Sequence, residues 1–234
     1  MPDITIKGPD GGFGAYLASP ATGKGPGIVV IQEIFGVNKV MRDLCDGYAK
    51  QGYFAVCPDL FWRIQPGVQL TDQSKAEWDQ AFALMNKFLP QFEKGIGDLT
   101  AAMTHLRQLP GATGKAGCVG YCLGGSLAYA MASNPAASSD GSVGFYPVQI
   151  DDYLPYAVNI KKPAMFHIAE KDDFCPPASQ QKIKDALGKI PHVTVHSYAG
   201  VNHAFARVGG GNYDKAAADL ANSRTAEFFK QNLG

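Results

Sequence analysis

Compact apolar runs alternate with stretches of helical spacing along most of this chain, and few folds accommodate that alternation. "GIVVIQE" (27–33) and "YFAVCPD" (53–59) are rich in β-branched and apolar residues, as strands buried on both faces are. "AGCVGY" (116–121), "SVGFYP" (142–147), "PAMFHIAE" (163–170) and "VTVHSYA" (193–199) read as further strands. Helical patterns lie between and after them, over 38–52, around 74–88, and over 92–108, 123–133, 177–188 and 213–233. "ITIKGPDGGFGAYLASP" reads as two short strands joined by a glycine turn, and residues 60–72 read as irregular. Strand-helix alternation predicts an α/β fold with a mostly parallel central sheet and helices on both faces. In such a sheet, ligands bind at the carboxyl ends of the strands. The 234 residues contain no internal repeat or low-complexity linker and suit one domain over 1–234.

Charge and cysteine usage narrow the partners. Lys plus Arg and Asp plus Glu both number 21, so nothing marks a nucleic-acid surface or an acidic tail. "MPDITIKGPDGG" lacks the basic and apolar segments of a secretory signal. The longest apolar stretch, "GIVVIQEIFGV", is broken by Gln32 and Glu33 and is too short to span a bilayer. A cytoplasmic monomer acting on a small molecule is expected, with neither nucleic acid nor membrane as partner. The five cysteines are odd in number and form no C-x-x-C pair. No metal site and no cofactor are expected, and most of the thiols read as reduced core residues.

One cysteine reads differently. In "VGYCLGGS" (119–126), Cys122 sits between Gly120 and Gly124, after a strand and before a helix. This G-x-nucleophile-x-G pattern resembles the turn that presents the nucleophile in a large class of hydrolases, usually with serine in the centre. The glycines are a steric need, because a sharp strand-to-helix turn brings backbones too close for side chains. A cysteine at a helix N-terminus also faces the positive end of the helix dipole, which favours thiolate over thiol. The bland alternative is a structural cysteine between packing glycines.

A nucleophile of this kind needs an acid and a histidine later in the chain, in that order. Asp172 follows the strand "PAMFHIAE", with Asp173 as its neighbouring rival. His203, in "GVNHAF", follows the strand "VTVHSYA". His105 falls within a helical pattern, His167 and His196 lie inside strands, and His192 precedes a strand at its amino end. Cys122, His203 and Asp172 are therefore the expected catalytic set: His203 moves the proton and Asp172 holds the imidazole. The backbone N–H of Leu123 and that of Ile34, in the loop after "GIVVIQE", are the expected oxyanion donors.

"QEIFGVN" (32–38), "GYCLGG" (120–125), "KDDF" (171–174) and "HAFAR" (203–207) together resemble the dienelactone hydrolase family, the carboxymethylenebutenolidases of the α/β-hydrolase fold. "GYFAVCPDLF" (52–61) and "GIGDL" (95–99) extend the resemblance over nearly the whole chain. It implies a Cys122–His203–Asp172 triad that opens an activated lactone through a thioester. It implies that Glu33 controls the ionisation of the thiol, and that Arg207 binds a substrate carboxylate. The family's second arginine is missing: "SKAEWDQAFALMNKF" carries Trp78 at or near its place, and Lys75 is the nearest cation. Trp78 and Ala204 are thus expected to alter the pocket. Two alternatives stand beside this reading: a general esterase or thioesterase on the same fold, and a non-catalytic binding or redox-sensing scaffold.

Overall fold

The computed structural model describes residues 3–234. The chain divides into two compact units, one ending at Gly117 and one spanning Cys118–Gly234. The first holds strands β1 (Asp3–Gly8), β2 (Gly11–Ala18), β3 (Gly25–Ile31) and β4 (Phe54–Pro58) and helices α1 (Lys39–Lys50), α2 (Lys75–Phe88) and α3 (Phe92–Gln108). Strands β1 and β2 form the expected antiparallel hairpin, with Gly8 opposite Gly11. Strand β2 runs antiparallel to β4, and β4 parallel to β3. All seven residues of β3 are buried, as its unbroken apolar run requires. Gly27 admits α3 at close range: a Cβ there would stand 2.8 Å from that of Leu106.

Helix starts in this unit are written in the sequence. Asn38 caps α1 by accepting from the Met41 N–H. Ser74 caps α2 by accepting from Glu77, whose carboxylate takes the Ser74 hydroxyl in return. Asp98, in "GIGDL", is fully buried and receives two hydrogen bonds from Arg63 and one from Trp62. A buried carboxylate needs such partners, since an unpaired one would carry a large desolvation cost.

Strand β5 (Ala112–Tyr121) runs from the first unit into the second. The second unit continues with α4 (Leu123–Ser133), β6 (Ser142–Phe145), β7 (Ala164–Ala169), α5 (Pro177–Leu187), β8 (Val193–Tyr198) and α6 (Lys215–Leu233). Strands β5, β6, β7 and β8 are neighbours in that order, and every pair is parallel. The sheet therefore has eight strands, mostly parallel. Tyr129, Ile150, Phe166, Ile168, Ile183 and Leu187 belong to a core in this unit.

Boundaries shifted where apolar pattern is silent. Strand β5 starts four residues before the expected Ala116, through polar "ATGK". Helix α6 starts at Lys215 because Asp214 caps it, accepting from the Ala217 N–H. A 3₁₀ run at Ile150–Asn159, with Pro155 inside it, carried no recognisable sequence period. No helix among the described residues is long and apolar enough to cross a membrane.

Candidate active site

The turn between β5 and α4 has the strained geometry its glycines imply. Cys122 takes φ 57° and ψ −117°, a region that L residues with a Cβ rarely occupy. A Cβ on Gly120 would lie 1.9 Å from the Gly124 carbonyl oxygen, so only glycine fits. Gly125 lets α4 rest on β6, since a Cβ there would come within 2.6 Å of the Phe145 oxygen. The Cys122 N–H is spent on that same Phe145 oxygen at 3.1 Å, and its carbonyl accepts the Ser126 N–H. Leu123 is the first residue of α4. The sulfur thus sits at a helix N-terminus on a backbone fixed by two hydrogen bonds.

Two later strand ends supply the partners. After β7, the carboxylate of Asp172 meets His203 Nδ1 at 2.8 Å, and both side chains are nearly fully buried. Its other oxygen accepts the Phe174 N–H at 2.9 Å. Asp173 is exposed and instead bonds Asn202, whose side-chain oxygen receives the His203 N–H. Of the two acids, Asp172 is the one that bonds the imidazole. The ring of His203 contacts two aromatics, Tyr146 at 5.0 Å and Phe174 at 4.8 Å, both near edge-to-face. Tyr146 and Ala204 also carry positive φ, 36° and 63°, so the strained positions gather around the histidine.

Electrostatics separate His203 from an ordinary buried histidine. Burial works against a charged ring, but charge attraction and hydrogen bonding to Cys122 and to Asp172 outweigh it, and the pKa of His203 is lifted to about 10. Nε2 is buried and has no partner of ordinary hydrogen-bond geometry among the described residues. The thiols of Cys45, Cys118 and Cys175 are pushed up, first of all by burial. They are inert core residues, as expected of most of the thiols.

The pattern that defines the dienelactone hydrolase family matches residues 13–233. The chain belongs to the dienelactone hydrolase family. It is 49% identical to a provisionally named carboxymethylenebutenolidase of Azospirillum brasilense, with the whole of both chains covered. It is 42% identical to the carboxymethylenebutenolidase of Pseudomonas putida, over 96% of this chain and 94% of the relative. A provisionally named dienelactone hydrolase from Klebsiella pneumoniae shares the fold, with a TM-score of 0.85 at 23% identity and 98% of each chain covered. The protein is thus a hydrolase with the α/β-hydrolase fold that the sequence implied.

The family motif "QEIFGVN" is held within the first unit by its own hydrogen bonds. Gln32 is fully buried, receives the Leu60 N–H and donates to the Glu33 carbonyl. Glu33 and Ile34 are buried beside it. Gly36 has φ 76°, and a Cβ would meet the Val68 oxygen at 2.1 Å. Trp78 stacks its ring on Phe82 and packs edge-on to Phe35, donating Nε1 to the Asp72 carbonyl. Lys75 is exposed and paired with Asp79. In the second unit Arg207 is buried. Among the described residues, no group of three or more His, Cys, Asp or Glu side chains could hold a metal ion.

Two supporting residues escaped the sequence reading. Gln180 of α5 is buried and directs its amide at the carbonyls of Ala169, Glu170 and Cys175, at 3.2, 3.0 and 2.7 Å. It ties down both ends of the turn that carries Asp172. Ser126 of α4 accepts the Val148 N–H and donates to the Val148 carbonyl, fixing the loop that carries Tyr146. A glutamine in "SQQK" and a serine in "GGSL" look like ordinary helix residues, and only the fold reveals their load.

Proposed function

We propose that this hydrolase opens an activated lactone or enol ester through Cys122, His203 and Asp172. The observation that carries the reading is the 2.8 Å contact of Asp172 with His203 Nδ1, in a unit where the Cys122 charge also raises the ring's proton affinity. The thiolate of Cys122 attacks the lactone carbonyl, forming the C–S bond and an oxyanion. Backbone N–H groups hold that oxyanion, with Leu123 and Ile34 as the donors. The oxyanion collapses, the ring C–O bond breaks, and its electron pair departs on the enolate oxygen, which takes a proton from the His203 imidazolium. Water then gives a proton to His203 Nε2 and attacks the thioester, and the Cys122 thiolate leaves with the C–S electrons. Asp172 keeps the tautomer and supports the imidazolium throughout.

A cysteine suits this substrate class. Thiolate is a better leaving group than an ordinary alkoxide, so a tetrahedral adduct from an alkyl ester returns to reactants. An enolate leaves competitively because its charge is delocalised. The Pseudomonas putida relative is named for the opening of such a lactone. The roles of Glu33 in controlling the thiol, of Arg207 in holding a carboxylate and of Trp78 in shaping the pocket rest on the family resemblance. Burial of Glu33 and Arg207 fits them, because a buried charge is retained where it has work or partners.

Steady-state hydrolysis of a carboxylated dienelactone beside a neutral aryl ester, with wild type and Cys122→Ala in parallel, tests the reading. Fast lactone opening that vanishes in the variant is the expected result. Activity confined to the aryl ester reassigns the substrate, and activity that survives in the variant removes the triad.

A further inference from the structure

The two aromatics that contact His203 differ in exposure. Tyr146 is buried, whereas Phe174 exposes 47% of its surface while its ring contacts the imidazole at 4.8 Å. Cys122, His203 and Asp172 are themselves exposed by 8%, 4% and 4%. Phe174 is thus a half-exposed ring in direct contact with a buried imidazole. A half-exposed phenylalanine on a mobile loop would collapse onto the protein. This loop cannot yield, because the Cys175 N–H bonds the Asp172 carbonyl, the Lys171 N–H bonds Val201, and Gln180 fastens both ends. The ring is held out at fixed geometry, as a preorganised apolar contact is.

We propose that Phe174 is a substrate-binding residue whose ring stacks on the flat, conjugated carbon frame of the substrate and selects it over a saturated frame of equal charge. This rests on the hydrolase reading of the site and adds the recognition of the frame to the recognition of the carboxylate. A planar acid offers the ring an offset face at full contact, and a puckered one meets it at a few atoms only. The hydrogen bond from residue 174 to Asp172 comes from the backbone, so changing the side chain leaves the donor of the triad acid in place.

Benzoate and cyclohexanecarboxylate carry the same charge on six-membered rings and differ in flatness. Calorimetric titration of both into wild type, Phe174→Ala and Phe174→Leu reads binding without turnover. Wild type is expected to bind benzoate more tightly. Phe174→Ala should weaken benzoate about tenfold, the value of roughly half an aromatic side chain's buried area, and cyclohexanecarboxylate less. Phe174→Leu should keep the cyclohexane ligand and still lose benzoate. Equal binding of the two acids to wild type, binding of neither, or dissociation constants unmoved in Phe174→Ala would overturn the proposal. So would a fall in kcat with both dissociation constants unchanged, which would make Phe174 a positioning residue for His203. Turnover surviving Cys122→Ala would remove the triad yet leave these titrations readable.

Discussion

His167 and His203 lie in the same unit, both almost wholly excluded from water, and are driven in opposite directions. His167, inside β7, meets the Tyr198 hydroxyl at 2.8 Å and the Thr225 hydroxyl at 3.0 Å. Hydroxyls satisfy a neutral ring without rewarding a charged one, so burial, helped by His196 and Arg224, takes its pKa well below 6.5. His203, beyond the end of β8, meets a carboxylate and a thiol and is lifted to about 10 against the same burial. Burial alone makes a structural histidine. A buried histidine becomes a proton carrier when anionic partners hold its charged form, and strand-end loops bring such partners together where a strand interior does not.

The largest effect should follow from removing the partners of His203. Cys122→Ala is expected to cut turnover about 10⁴-fold or more, because triad members act as a unit. It should also bring the His203 pKa down, which NMR titration of the imidazole would read. An unmoved pKa would show that the thiol is not one of its holders. Asp172→Asn keeps the shape and removes the charge, and kcat should fall on the order of 10³–10⁴-fold. His203 would then titrate closer to His167, and the difference between the two rings would shrink.

Gln180→Met keeps the volume of the side chain and loses its donors to three carbonyls. The Asp172 turn should loosen, lowering kcat by about ten- to a hundredfold, as small misplacements of catalytic groups do. Urea denaturation alongside would separate loss of position from loss of fold. His167→Leu is the converse, expected to cost about 2 kcal/mol of stability through its lost hydroxyl partners, with kcat little changed. A large loss of activity there would break the distinction between the two histidines.

Stability against pH should carry both signatures, with opposite signs. The unfolded chain protonates His167 below about 6.5 while the folded ring refuses the proton, so stability falls as pH drops through that window. Folded His203 keeps its proton to about 10, so its contribution is full below 6.5 and is lost as pH rises through about 10. His167→Leu should flatten the acid limb and Asp172→Asn the alkaline one, as denaturant midpoints across pH would show.

What was legible in the sequence follows from the same physics. The elbow could be read because its glycines answer a steric demand, seen in the 1.9 Å approach at Gly120. His203 could be read because it stands past a strand end, and His167 could be set aside because it stands within one. Asp172 and Asp173 differ by one position in a loop, and which of them bonds His203 is seen only in the folded turn. Gln180 was illegible because its role lies in three carbonyls distant from its own helix pattern. The helical pattern around Trp78 could be read, but the packing of its ring on Phe35 and Phe82 belongs to tertiary structure.

The central claim is that Cys122 carries the acyl group, and quenched-flow mass spectrometry of the enzyme with a carboxylated dienelactone tests it most directly. Ring opening keeps the leaving oxygen on the acyl chain, so the adduct should add the full mass of the lactone and map to the peptide containing Cys122. Rapid hydrolysis with that peptide unmodified at every quench time, and with turnover retained in Cys122→Ala, would contradict the account.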